Sequence, residues 1–476
     1  MMTHNPIVPP YGHRYADVDS AGQEPRLDAM SQRRAMTSQP VGALSGHVQA
    51  PGDKSVSHRA LILGACAVGE TTISGLLEAE DVFATLSALR AMGVEIVRDG
   101  ASLRVYGRGV GGLAEPDRVL DLGNSGTGAR LLMGLVASHP FTTFFTGDAS
   151  LRGRPMRRVI DPLTLLGATF WSRSRARLPL VVHGPTEPLA IDYTLTIASA
   201  QVKSAILLAG LNAPGLTRVT EPARSRDHSE RMLAHFGAEV ISVDEPDGGW
   251  TITLTGQPEL RGCTVTVPGD ISSAAFPVVT ALIVPGSLVT VKNVGMNPLR
   301  TGLLETLAEM GGHIEILNAR EVSGEPVADL IVRASDLIGV DVPAERAPRM
   351  IDEFPILAVA AACASGRTRM AGLAELRVKE SDRLAAITEG LTASGIAVES
   401  GPDWIIIEGA GGPPPGGAWI TARYDHRIAM AFLVLGAAAR EPIMIDDGAA
   451  IATSFPGFVT MMNELGTEIA DAPANQ

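Results

Sequence analysis

Six times along the chain, an apolar helical end runs into a glycine and then into a strand. Leu89-Arg90-Ala91-Met92-Gly93-Val94-Glu95-Ile96 and Leu307-Ala308-Glu309-Met310-Gly311-Gly312-His313-Ile314 are two instances. The glycines stand at 93, 167, 237, 311, 395 and 466, so successive spacings are 74, 70, 74, 84 and 71 residues. Glycine after a helix takes the left-handed cap that other residues resist. Each interval therefore predicts one strand–helix–strand–helix–strand unit. Solenoid units run to roughly 20–50 residues, so these intervals are long for a solenoid.

A second symmetry overlies the first. Pro51-Gly52-Asp53 returns as Pro268-Gly269-Asp270, 217 residues later and about three repeat lengths away. This predicts an α/β fold of two domains with three repeats each, the chain crossing between them at both turns. The expected boundaries are 41–52 with 268–476 for one, discontinuous domain, and 53–267 for the other. The length of 476 residues suits two large domains. Residues 1–40 are polar and Pro-rich with no apolar h-region, and are expected to be a disordered extension rather than a signal.

Thirty-nine Lys and Arg stand against 52 Asp and Glu, a formal net charge of −13. That balance argues against a nucleic-acid surface, and any anionic ligand would need cations gathered locally. Cys66, Cys263 and Cys363 lie far apart, in neither metal nor disulfide spacing, which suits a reducing cytoplasm. No apolar run reaches the ~18 residues of a membrane span, and Pro277 and Pro285 interrupt the longest candidate.

The first Pro-Gly-Asp turn continues as Lys54-Ser55-Val56-Ser57-His58-Arg59 into an apolar helical stretch. A strand, a turn and a helix start form a ready anion site, because free N–H groups and the helix dipole favour negative charge there. Ser55 and Arg59, four apart, share a helix face with Lys54 at its mouth. A capped helix with a solvated Lys54 reads as well in isolation. A nucleotide P-loop does not, since it needs Gly directly before the Lys and Asp53 stands there. The second Pro-Gly-Asp copy lacks such cations and reads as architectural.

Other helix starts repeat the theme. Gly123-Asn124-Ser125-Gly126-Thr127-Gly128 is either a close ligand approach or a tight packing turn, and Arg152 and Arg154 flank another start. Ser199-Ala200-Gln201 opens an apolar helix, with Ser199 as an N-cap. In the second half Asp352-Glu353 precedes an apolar helix, Lys379-Glu380-Ser381-Asp382-Arg383 is dense in charge, and Asp425-His426-Arg427 heads a third. His426 reads as a structural helix-start residue, with no second His at ligand spacing. Helix starts carrying Ser, Thr or Gly plus a cation, drawn from both halves, are what an interdomain cleft for multiply anionic small molecules requires.

Taken together, PGDKSVSHRA at 51–60, GNSGTGARL at 123–131, GDASLRGRPM at 147–156, SAQVKSA at 199–205, IDEFPILAVAA at 351–361, LRVKESDRL at 376–384 and DHRIAMAF at 425–432 resemble the 5-enolpyruvylshikimate-3-phosphate synthase family, in its second bacterial class. The similarity runs from about Leu44 to Ile469. It implies two inside-out α/β barrel domains, each of three βαβαββ units, with the active site between them. It implies transfer of the enolpyruvyl group of phosphoenolpyruvate to the 5-hydroxyl of shikimate 3-phosphate, with phosphate released and no metal or cofactor, by a cytoplasmic monomer. It also implies glyphosate as an inhibitor in the phosphoenolpyruvate subsite, against the turn at 123–128.

Carried over residue by residue, the resemblance makes Lys54, Ser55, Arg59, Ser199, Ala200, Gln201, Arg226, Asp352 and Lys379 ligands of shikimate 3-phosphate. Lys54, Gly126, Arg154, Gln201, Arg383 and Arg427 would line the phosphoenolpyruvate side. Asp352 would be the base at the 5-hydroxyl, Glu380 the proton donor and acceptor at the methylene carbon, with Lys54 also catalytic. The related UDP-N-acetylglucosamine enolpyruvyl transferase is the alternative enzyme, but its acid is a Cys in a mobile loop, and no Cys here stands in a charged Gly-rich loop. A repeat-built phosphate-binding protein is the non-enzyme alternative; Asp352 and Glu380 among the cations count against it.

Overall fold

The computed structural model describes residues 33–246 and 248–473. The six repeat glycines all take positive φ, from 80° at Gly395 to 113° at Gly466. Each ends a helix: Glu80–Ala91, Arg157–Leu165, His228–His235, Gly302–Glu309, Arg383–Ala393 and Phe458–Leu465. The chain can therefore turn straight back into a strand after each.

Among the described residues, six four-stranded sheets result. In the sheet of Leu120–Asp121, Thr142–Thr146, Arg177–His183 and Thr169–Arg173, the first pair is parallel and the rest antiparallel. The sheets built on Leu216–Glu221 and Ser365–Ala371 repeat this order. The other three each borrow one strand from elsewhere. Thr264–Thr266 joins Val68–Ser74 in parallel, and Ser45–Gln49 joins Leu288–Gly295 in parallel. Met36–Gln39 lies between Ile443–Ile445 and Glu468–Asp471, antiparallel to both.

Two hydrophobic cores fill the sheets, one from residues 56–267, the other from Met36 to Ala50 with 271–469. Three helices run through each: Lys54–Cys66, Gly126–Val136 and Ala200–Gly210 in one, Ile271–Ile283, Phe354–Cys363 and His426–Ala438 in the other. They are almost wholly buried, which explains apolar runs with little amphipathic period. Their N-terminal N–H groups still need partners. Asp53, Ser125, Asp270 and Asp425 accept from Val56, Gly128, Ser272 and Arg427 N–H respectively.

The chain passes between the cores twice, side by side. Asp53 N–H donates to Pro268 O and Asp270 N–H to Pro51 O, both at 2.7 Å. Gly52 is required here: a Cβ would overlap the carbonyl oxygen of Gly75. Buried Arg300 joins both crossings, reaching Asp53 Oδ2 at 3.1 Å and Asp270 Oδ1 at 3.3 Å. The second Pro-Gly-Asp turn thus shares one cation with the first.

The expected disordered extension through residue 40 is corrected in part. Residues 1–32 lie outside the described residues, but Met36–Gln39 is a central strand with Met36 and Ser38 fully buried. Long-range pairing overrides the weak strand character of Met-Thr-Ser-Gln. Among the described residues, no helix is long and apolar enough to cross a membrane.

Candidate active site

The charged helix starts of both lobes meet in one cleft. Arg383 lies at its centre, 1% exposed. It reaches Asp425 Oδ2 at 2.9 Å, Glu380 Oε2 at 2.6 Å and Asp352 Oδ1 at 3.3 Å. From the opposite lobe, Arg226 pairs with Asp352 Oδ2 at 2.6 Å and Arg154 approaches Glu380 Oε1 at 3.6 Å. Arg427 donates to the Asp352 backbone carbonyl at 3.3 Å. Across the rim, Arg158 pairs with Glu375 at 3.0 Å.

Burial opposes the charge on Asp352, but Arg226, Arg427, Lys379 and Arg383 outweigh it and hold its carboxyl well below the usual range. Burial likewise works against Glu380, and Arg383 and Arg154 overcome it. Lys379 shifts the other way. Burial, with Arg383 and Arg226, pulls its ammonium below the ordinary lysine value despite Asp352 and Glu380. Two ionised carboxylates and an acidified lysine thus share a space into which cations point, an arrangement suited to proton transfer.

The other predicted residues surround this group. Lys54 begins its helix and pairs with buried Asp81 at 3.0 Å. Arg59, one turn on, donates to Ser229 Oγ and Ser204 Oγ, both at 2.7 Å, and to the Ser55 carbonyl at 2.9 Å. Gln201 donates to Thr127 Oγ1 and accepts from Arg130, which also bonds the Gly126 carbonyl. Arg154 donates to Asn124 Oδ1 at 2.6 Å and Ser150 Oγ at 3.1 Å, so the turn at 123–128 is tied to it.

Ser199 precedes the helix Ala200–Gly210, but its side chain makes no capping bond; its N–H instead donates to Glu221 Oε1. The expected cap is replaced by that carboxylate. His426 opens its helix buried, with Thr453 Oγ1 3.4 Å from Nδ1. Burial, with Lys54 and Arg427, keeps its ring from protonating. Among the described residues, no group of His, Cys, Asp and Glu could hold a metal ion. The thiols of Cys66 and Cys363 are pushed up to about 12 by burial, so neither is poised as a loop acid.

The sequence reading missed three contributors. Asp81, in the first turn of Glu80–Ala91, carries no local signal beyond that of an acid matching the helix dipole. Asp425 was read only as part of a charged helix head, yet it is the counter-charge of Arg383. Arg130 stands four residues after Gly126 and so on its helix face, a spacing that could have identified it.

A sequence model of the family described as EPSP synthase (3-phosphoshikimate 1-carboxyvinyltransferase) matches residues 38–462. A 3-phosphoshikimate 1-carboxyvinyltransferase of Paramagnetospirillum magneticum is 60% identical over 442 residues, covering 93% of this chain and 99% of the relative. That of Rhodospirillum rubrum is 61% identical over 432 residues, 90% of this chain and 96% of the relative. A solved structure of EPSP synthase from Acinetobacter baumannii superposes with a TM-score of 0.82 at 44% identity, covering 92% of this chain and all of that one.

Proposed function

Because the chain belongs to the EPSP synthase (3-phosphoshikimate 1-carboxyvinyltransferase) family, we propose that it moves the enolpyruvyl group of phosphoenolpyruvate onto the 5-hydroxyl of shikimate 3-phosphate, within the shikimate route to chorismate and the aromatic amino acids. The observation that carries this reading is the pair Asp352 and Glu380, each gripped by arginines of both lobes. A passive anion binder gains nothing from carboxylates there.

In the addition step, Asp352 takes the hydroxyl proton as oxygen attacks C2 of phosphoenolpyruvate, and Glu380 delivers a proton to C3. The elimination step removes a proton from the new methyl group through Glu380, re-forms the double bond and expels phosphate. Glu380 starts ionised, so it must first acquire its proton. Two anionic substrates beside Arg154 and Arg383 would offset the field that keeps it charged, raising its affinity for a proton. Lys54, Ser55, Arg59, Ser199, Ala200, Gln201, Arg226 and Lys379 are assigned to shikimate 3-phosphate. Lys54, Gly126, Gln201, Arg154, Arg383 and Arg427 are assigned to phosphoenolpyruvate. Helix N-termini and arginines then stabilise the charge of the tetrahedral intermediate. We assign the work to a cytoplasmic monomer.

Purified protein given both substrates should release phosphate in a coupled assay, and neither substrate alone should suffice. No release with both present would reject the reading.

The turn at 123–128 carries a second expectation, for glyphosate. A Cβ on Gly126 would stand 2.8 Å from Arg154 Nη1 and 3.0 Å from Arg130 Nη1, so both guanidiniums would have to give way. Glyphosate is longer than phosphoenolpyruvate and should lose more room. Gly126→Ala is expected to raise the glyphosate inhibition constant roughly 10–200-fold, well beyond its effect on KM for phosphoenolpyruvate. Inhibition constants for both proteins check this; equal values would show that the turn does not gate the inhibitor.

A further inference from the structure

Behind the shikimate 3-phosphate side lies a charge cluster with no part in the chemistry above. Lys203 is 0% exposed. Its Nζ is 2.8 Å from Glu221 Oε2, 2.7 Å from Glu230 Oε1 and 3.4 Å from the Ser225 carbonyl. Both glutamates are buried as well. A buried ion pair is a weak device for stability, because apolar replacements of equal volume are often as stable. Its geometry accounts for it better.

Glu221 anchors the cleft directly, and Glu230 and Lys203 each neighbour in sequence a hydroxyl that holds Arg59. Glu221 Oε1 accepts from Ser199 N–H at 3.3 Å and from Ser225 Oγ at 2.6 Å, and Oε2 accepts from Ser225 N–H. It therefore holds the start of Ala200–Gly210 and, through Ser225, the loop that carries Arg226. Glu230 is adjacent in sequence to Ser229, as Lys203 is to Ser204. Those two hydroxyls bond each other at 2.7 Å and both accept from Arg59. Burial weakens the hold of Arg59 on its proton, and the Glu230 carboxylate is the leading influence that opposes this.

We propose that Lys203, with Glu221 and Glu230, is a positioning cluster for the shikimate 3-phosphate subsite: one buried ammonium fixes Arg59, Ser199 and the Arg226 loop relative to one another. None of its three residues is assigned to either substrate. This rests on the enolpyruvyl-transfer reading. Among the described residues, no hydrogen bond or ion pair joins Gly126, Arg154 or Glu380 to the cluster, so its loss should weigh far more on shikimate 3-phosphate than on phosphoenolpyruvate.

Lys203→Met is expected to raise KM for shikimate 3-phosphate, and its Kd by calorimetry, roughly 10–100-fold through misplaced anchors. KM for phosphoenolpyruvate should move less than about threefold, while kcat falls with the displacement of the Arg226 loop, because Arg226 also holds the base Asp352. Lys203→Arg, which keeps the charge, should recover part of the loss. Should Lys203→Met fail to fold, Glu221→Gln carries the test, since it keeps the shape and removes the ion pair; a several-fold rise confined to shikimate 3-phosphate is expected. Equal changes for both substrates, or none in a folded variant, would overturn the proposal. Wild-type protein that does not bind shikimate 3-phosphate would instead overturn the functional reading, so the two failures are distinguishable.

Discussion

Asp352→Asn and Glu380→Gln are each expected to lower kcat by about two to four orders of magnitude, the usual worth of a positioned acid or base. At 1.36 kcal/mol per decade this is roughly 2.7–5.4 kcal/mol of lost transition-state stabilisation. KM for either substrate should change far less. Both substitutions keep side-chain volume and remove the basic oxygen, so the proton has nowhere to go. The amides also release Arg226 from Asp352 and loosen Arg154 and Arg383 from Glu380. Those freed cations favour anionic ligands, which holds KM down while turnover collapses. Steady-state kinetics with both substrates varied would check it. Near wild-type kcat in either variant would remove that carboxylate from the chemistry.

Glu353 shows why periodicity and charge alone do not make this choice, which only the family resemblance makes in favour of Asp352. Asp352 and Glu353 are adjacent acids before the same helix, and periodicity does not rank them. The structure turns Asp352 into the cleft, while Glu353 accepts from Ser272 Oγ, which also accepts from Arg300 at the crossing. The repeat, in contrast, was legible because a helix that turns directly into a strand needs a residue tolerant of positive φ, and that need recurs at six glycines. Helix starts were legible for a similar reason, as caps and cations have a local cause. Partner identity has no local cause. Asp81 under Lys54, Asp425 under Arg383 and Glu221 at the Ser199 amide come from other elements, brought close only by the closed fold. The short strand Met36–Gln39 failed to announce itself for the same reason, since what makes it a strand lies about 400 residues downstream.

That strand sets the second large expectation. A chain beginning at Val41 should lose much of the stability of the lobe built on residues 271–469, whereas one beginning at Arg33 should melt like the full chain. Met36–Gln39 is the bridge of its sheet, pairing Met36, Thr37 and Ser38 with Ile445, Met444 and Ile443, and all four residues with Glu468–Asp471. Without it, Ile443–Ile445 and Glu468–Asp471 face each other across an empty lane, each with unpaired backbone groups. Met36 is 1% exposed, and its burial alone is worth about 1.5–3 kcal/mol. Several ladder hydrogen bonds at roughly 0.5–1.5 kcal/mol each add to this. The strand also seals the helix His426–Ala438: a Cβ at Gly436 would crowd the Cβ and carbonyl oxygen of Ser38, so strand and helix pack closely only because Gly436 has no side chain. A total near 5 kcal/mol or more approaches the whole stability of an ordinary domain. Arg34 adds an ion pair with Asp471 at 2.5 Å, and its carbonyl accepts from Gly448 N–H at 2.7 Å, which is why the shorter deletion must stop before it. Thermal melts of the two truncations beside the full chain would decide. A Val41 start with an unchanged melting temperature would mean that the central strand contributes no net stability to the sheet it divides.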